Sequence, residues 1–269
     1  MTDGLKIDRL SVSYGKRQVI ADLTAPLLPR GQMTILTGPN GCGKSTLLRA
    51  LAGLNRAGGQ AYLDGEPLLD LPFARRAQRV VLLPQSLPQG VHLHVLESVL
   101  AARRASGGGE GHDQEVRALA LLAELGIAHL ALSYLDQLSG GQRQLVGLAQ
   151  SLIRQPSLLL LDEPLSALDL NHQFQVMEVV ARETRRRNMV TVIVVHDLNI
   201  ALRHGEQVLM LKAGELVASG APERAITPAN LAMVYGVRAR VERCTQGRPQ
   251  LIVDGLIVDE LIVDELMAD

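Results

Sequence analysis

The chain has few residues that stack and few that cross-link. It contains no tryptophan, two phenylalanines and four tyrosines in 269 residues, too few for the aromatic platforms on which single-stranded nucleic acids lie. Formal net charge is −1, from 27 Lys and Arg against 28 Asp and Glu. The basic excess that accompanies phosphate-backbone recognition is therefore missing, and no nucleic-acid partner is expected. The two cysteines, Cys42 and Cys244, form no spaced framework, which fits a reducing compartment better than an oxidising one. No stretch approaches the roughly 18–20 apolar residues that span a bilayer, and the start, MTDGLKIDRL, has no apolar signal core. If the protein works at a membrane, another chain is expected to do the spanning. With aromatics so scarce, the core must be built from Leu, Val, Ile and Ala. The length suffices for one elaborated domain or a core plus a subdomain.

What the chain does have is centred on Met33–Thr46. A β-prone run, Met33 to Thr37, reaches Gly38-Pro39-Asn40-Gly41-Cys42-Gly43-Lys44-Ser45-Thr46, and an amphipathic helical pattern follows. This is G-x-x-x-x-G-K-[ST] with a strand before it and a helix after it. Gly38, Gly41 and Gly43 permit backbone conformations in which successive N–H groups point at an anion, and the helix adds its positive end. Lys44 is expected to reach the β- and γ-phosphates, Ser45 to sit on Mg²⁺, and Thr46 to bond near the α-phosphate. A structural glycine turn with an exposed lysine is the plain alternative. The eight-position match with both flanks predicts a nucleoside triphosphate site.

Residues 5–28 alternate around Gly15-Lys16 and predict an antiparallel β-layer. Tyr14, at the end of its first strand, either packs there or stacks on a base. Buried parallel strands are expected at Val80–Gln85, Ser157–Leu161 and Val190–His196, each a solid apolar run. Between them, helical periods (VLESVLAARR, EVRALALLAELGI) flank a Ser106–Gly111 linker and predict a helical insertion. The expected architecture is α/β: a P-loop NTPase (RecA-like) parallel-sheet core with an N-terminal antiparallel β-layer and an inserted α-helical subdomain. Its expected divisions are 1–85 with 151–240 as the core, 86–150 as the helical subdomain, and 241–269 as a tail. That tail repeats a pentad, LIVDG-LIVDE-LIVDE from Leu251, matching no solenoid period; its first copy is expected to complete a strand and the later two to form an extension.

Ligands of open parallel sheets bind beyond the carboxyl ends of the strands. The predicted strands there deliver Lys44 with Ser45, Gln85, Asp162 with Glu163, and His196. Asp162 is placed to hold Mg²⁺ directly or through water. Glu163, pointing elsewhere by strand alternation, suits a general base for water, against a plain helix-capping role. His196 suits γ-phosphate contact, against a satisfied structural histidine. Gln85 either opens a loop or acts as a hinge sensing Mg²⁺ and the attacking water. In Leu138-Ser139-Gly140-Gly141-Gln142, Ser139 and Gln142 make a capping box. The two glycines go beyond what a cap needs and suggest a second anion cradle.

Phosphate loop, glutamine after a strand, LSGGQ, LLLLDEP, SALD and a strand-ending histidine stand in the order seen in ATP-binding cassette (ABC) ATPases, which residues 5 to about 240 resemble. The resemblance implies a head-to-tail homodimer in the ATP-bound state that sandwiches two ATP molecules, with Mg²⁺. In it Ser139, Gly140, Gly141 and Gln142 would bind γ-phosphate in trans, Ser166 to Asp169 would signal between sites, and Tyr14 would stack on adenine. Glu163 would be the base and His196 the γ-phosphate sensor. ALDLNHQFQV, VVHDLNIAL and GAPERAITPANLAMVYGV resemble the ATPase subunits of importers for iron–siderophore complexes, haem and cobalamin. Such importers add integral membrane permease subunits and a periplasmic or lipoprotein substrate-binding protein, which implies a peripheral place on the cytoplasmic face of the inner (plasma) membrane. An importer ATPase for another cargo (metal ion, amino acid) or a soluble non-transport ABC ATPase are the alternatives. Three departures stand out. Cys42 replaces the commoner serine or alanine and suggests thiol-sensitive ATP binding. A GRxP-like run after Gln85 is absent, and the pentad tail has no counterpart.

Overall fold

A computed structural model describes residues 3–85, 92–107 and 111–257. The first layer opens with β1 (Gly4–Tyr14) and β2 (Arg17–Pro29), followed by β3 (Met33–Thr37), α1 (Lys44–Leu51), β4 (Gly58–Leu63) and β5 (Glu66–Pro67). Then come α2 (Phe73–Arg79), β6 (Val80–Leu83), α3 (Val95–Ala105), α4 (His112–Glu124), α5 (Gly140–Ile153) and β7 (Leu158–Leu161). The rest of the sheet and its covering helices are α6 (Leu170–Arg186), β8 (Val190–Val194), α7 (Leu198–His204), β9 (Gln207–Lys212) and β10 (Glu215–Gly220). The described chain closes with α8 (Pro222–Ala225), α9 (Pro228–Tyr235), β11 (Val237–Arg243) and β12 (Pro249–Leu256).

Solid apolar runs became central strands because both their faces are covered. The sheet has the order β10-β9-β3-β8-β7-β6, parallel from β9 to β6, with β10 antiparallel at its edge. Side-chain alternation divides the core across it. Met33, Ile35, Leu159, Leu161 and Ile193 pack among the helices of the inserted segment, with α6 behind. Leu36, Leu158, Leu160, Val192 and Val194 face the opposite way, onto α1 and the antiparallel layer β2-β1-β4-β5. That layer supplies Leu5, Ile7, Leu10 and Val12 from the inward face of β1.

One polar clamp joins the two sheets. Asp64, in the β4–β5 turn, accepts Arg30 Nε at 2.7 Å and the Gly4 amide at 3.1 Å, while Arg30 Nη1 donates to the Asn188 carbonyl at 2.7 Å. The Arg30 guanidinium holds the Asp64 carboxyl below the usual carboxylate range. A depressed folded-state value means stability that is present above the unfolded pKa and lost as pH falls through the folded one. Asp64→Asn should therefore cost about 1–2 kcal/mol at neutral pH. Chemical denaturation from pH 7 downward should show the gap between the two proteins closing below the ordinary aspartate range. A gap that persists at acid pH would assign the loss to shape rather than charge.

Several sequence expectations need correction. β6 stops at Leu83 because Pro84 cannot donate to the ladder, so Gln85 stands two residues past its strand, as His196 does past β8. The expected divisions at 150 and 240 fall inside α5 and β11. The first pentad copy, Leu251–Gly255, does complete a strand, lying within β12 and pairing with β11. The later copies lie almost wholly outside the described residues, as do residues 86–91 and the 108–110 part of the linker. Helices α8 and α9, four and eight residues long, and strand β11 are not expected from periodicity.

Candidate functional site

The strand-to-helix turn after β3 builds the site. α1 begins behind Gly43, whose φ of 109° lies in the left-handed region, and no side chain caps its first amides. A helix start without a side-chain cap leaves its positive end available to an anion. Lys44 is 5% exposed and folds back over the loop, its Nζ donating to the carbonyls of Gly38 at 2.8 Å and Pro39 at 3.0 Å. Ser45 Oγ donates to Asp162 Oδ1 at 3.1 Å. Burial pushes the Asp162 carboxyl up, opposed by the Ser45 bond and by Lys44. A hydroxyl beside a buried carboxylate is a hard-oxygen pair suited to Mg²⁺. Among the described residues no three His, Cys, Asp or Glu side chains gather as a metal site.

Glu163 occupies the centre of the opposite wall. One carboxylate oxygen, Oε2, accepts Gln85 Nε2 at 2.7 Å, and the other, Oε1, lies 2.7 Å from His196 Nε2. Its φ is +52°, a conformation that non-glycine residues seldom adopt and that costs of order 1 kcal/mol. Asp162 and Glu163 thus part company through a left-handed backbone step just after β7, not through strand alternation. Asn40, Gly41, Gly43, Lys44, Ser45 and Thr46 face Gln85, Glu163 and His196 across a cleft of about 330 Å³. Val19 of β2 completes this wall. Sequence reading missed it because an aliphatic residue in an alternating strand carries no chemical mark.

Other expected residues lie apart from this cleft. Tyr14 is 50% exposed and its hydroxyl accepts Asn55 Nδ2 at 2.6 Å. Ser139 and Gln142 form the capping box of α5: the Gln142 amide donates to Ser139 Oγ at 3.2 Å and the Ser139 amide to Gln142 Oε1 at 2.9 Å. Asp169 caps α6, accepting the His172 amide at 2.9 Å, and these bonds hold its carboxyl below the usual range. Cys42 is 4% exposed and burial pushes its thiol up. Burial of this side chain counts against the access that a thiol reagent needs.

The two glycines of LSGGQ have different reasons. A Cβ at Gly141 would stand 2.7 Å from the Ala167 carbonyl oxygen, whereas one at Gly140 would meet nothing. Gly141→Ala should lower Tm by about 2–6 °C through overpacking, and Gly140→Ala should leave it unchanged. Calorimetry of the two variants separates packing from surface roles. Equal shifts would contradict this division.

A parallel sheet with a glycine loop, lysine and hydroxyl at its central strand, and acid, amide and imidazole at the neighbouring strand ends, defines a P-loop nucleoside triphosphatase. Comparison with known proteins narrows the class. The family model described as ABC transporter matches residues 26–166. The chain is 35% identical over 243 residues to the iron(3+)-hydroxamate import ATP-binding protein FhuC of Bacillus subtilis, covering 89% of this chain and 90% of that one. It is 40% identical over 255 residues to the hemin import ATP-binding protein HmuV of Pseudomonas putida, covering 92% and 99%. Among solved structures, an inward-facing ABC transporter of metal-chelate type superimposes with a TM-score of 0.77 at 25% identity, covering 96% and 99%. MJ0796, a bacterial ABC transporter cassette solved as a dimer, gives 0.73 at 26% identity, covering 81% and 99%. The chain belongs to the ABC transporter family, as an ATP-binding subunit that hydrolyses ATP. No helix among the described residues is long and apolar enough to cross a membrane.

Proposed function

We propose that this chain powers an importer for an iron complex, iron–siderophore or haem, or for cobalamin. It would act as an ATP-bound homodimer on the cytoplasmic face of the plasma membrane, beneath separate permease subunits served by a substrate-binding protein. The observation that carries the reading is Glu163, held between Gln85 and His196 directly across the cleft from Lys44 and Ser45. That is where a water attacking the terminal phosphate must be deprotonated and oriented.

In this reading the loop from Gly38 to Thr46 and the α1 amides cradle the phosphates, and Lys44 exchanges its loop carbonyls for the β- and γ-phosphates. Ser45, Asp162 and Gln85 would hold Mg²⁺, which when bound neutralises phosphate charge. Glu163 takes the proton of the attacking water while His196 contacts the γ-phosphate. Tyr14 stacks on adenine at the end of β1. Ser139 to Gln142 grip the γ-phosphate of the facing subunit, and Asp169 links the two sites. The outward-facing, open Gly140 supports that trans contact. The two sheets and α1 act as the nucleotide-binding core, and the helical segment from α3 to the end of α5 passes the closure to the permease. The relatives named for hydroxamate-iron and hemin import support the cargo class. Loss of this chain should abolish uptake of radiolabelled iron presented as siderophore complex or haem, or of cobalamin, and leave amino-acid uptake intact. Unchanged uptake of all three would refute the cargo assignment while leaving the ATPase assignment untouched.

A further inference from the structure

Away from the nucleotide, α6, α7 and the β11–β12 turn enclose a second cavity of about 650 Å³, roughly twice the volume of the first. Its walls combine features that solvent alone would not favour. Leu170 is 73% exposed and Phe174, one helical turn on, is 38% exposed, giving an apolar floor. Two guanidinium groups, Arg203 and Arg248, line it and make no ion pair among the described residues, Arg203 lying 4.6 Å above the Phe174 ring. Of the two carboxylates present, Asp197 is occupied in capping α7, leaving Glu178 as the one opposing charge. His204 Nε2 is buried without a hydrogen-bond partner. Burial and the two arginines hold that imidazole below its usual value.

The chain itself carries a segment of matching chemistry. Residues 258–269, VDELIVDELMAD, hold five carboxylates, no Lys or Arg, and seven apolar side chains. We propose that this cavity is the docking site for residues 258–269, the aliphatic side chains covering Leu170 and Phe174 and the carboxylates meeting Arg203 and Arg248. The distance is within reach. The cavity touches Pro249 and Gln250 at the start of β12, about 25 Å along that strand from Ile257. Twelve extended residues cover about 40 Å. The pentad repeat, which the nucleotide site leaves unexplained, thereby gains a partner. α7 begins two residues after His196, so an occupied cavity braces the helix that follows that side chain.

Cys244 reports on the cavity it lines. Amides of Gln246 and Arg248 hold its thiol below the usual value, while Cys42 is buried. Iodoacetamide labelling, read at each cysteine by peptide mass spectrometry, should be about tenfold slower at Cys244 in the full chain than in a chain ending at Ile257, as a docked fraction of order ten to one requires. A synthetic 258–269 peptide should restore protection to the shortened chain, and one with its five acids replaced by amides should not. In the full chain, Arg203→Glu with Arg248→Glu should label as fast as the truncation, with ATP turnover retained as proof of folding. Equal labelling of full and shortened chains would overturn the proposal. Protection that survives truncation and grows with protein concentration would also overturn it, by showing that a second copy covers the cavity.

Discussion

Glu163→Gln should reduce ATP turnover by at least about a hundredfold, the low end of what a positioned general base contributes, while nucleotide affinity stays within a few fold of the parent. The substitution keeps the side chain's size and its place between Gln85 and His196, and removes only the ability to take a proton. Affinity should hold because the phosphate contacts come from the loop and α1, across the cleft. Steady-state phosphate release and equilibrium binding of a fluorescent ATP analogue measure the two quantities separately. A fall in affinity matching the fall in turnover would mean that Glu163 positions the phosphates. Near-parental turnover would move the base elsewhere, and His196 would be the next residue to test.

The second large effect is expected at a position no atom of which lines the cleft. Ser139→Arg places a long cation at the capping turn of α5, where the facing subunit's triphosphate is proposed to sit. Turnover should fall to background, yet ATP binding to the single chain should be unchanged because Lys44, Ser45 and Thr46 are untouched. Losing the cap itself costs about 1 kcal/mol, so Ser139→Ala provides the control. It should lower stability by that amount and leave a larger share of turnover. If the two variants lose turnover equally, the serine matters only as a helix cap.

Legibility in the sequence followed chemistry rather than position. The turn from Gly38 to Thr46 was readable because its glycines, lysine and hydroxyls admit one arrangement between a strand and a helix. The solid runs at Met33–Thr37, Leu158–Leu161 and Val190–Val194 were readable because strands covered on both faces need no polar alternation. Gln85 and His196 both follow the carboxyl ends of parallel strands, as read, though both stand beyond the strands themselves. What could not be read is the left-handed step at Glu163, since a backbone angle of +52° in a glutamate leaves no mark in composition. Gly141 was opaque for a related reason: its need to be glycine comes from the Ala167 carbonyl, a contact between segments far apart in sequence. Of the β11–β12 hairpin only the β12 half was legible, as a first pentad copy completing a strand, and its partner β11 was not.

The central claim is that one chain carries two separated anion cradles that become a single site only when a second copy closes over the nucleotide. Light scattering on Glu163→Gln, with and without MgATP, tests it most directly. The account predicts the monomer mass without nucleotide and twice that mass with it, the doubling abolished when Ser139→Arg is added. A monomer mass at every nucleotide and protein concentration would contradict it.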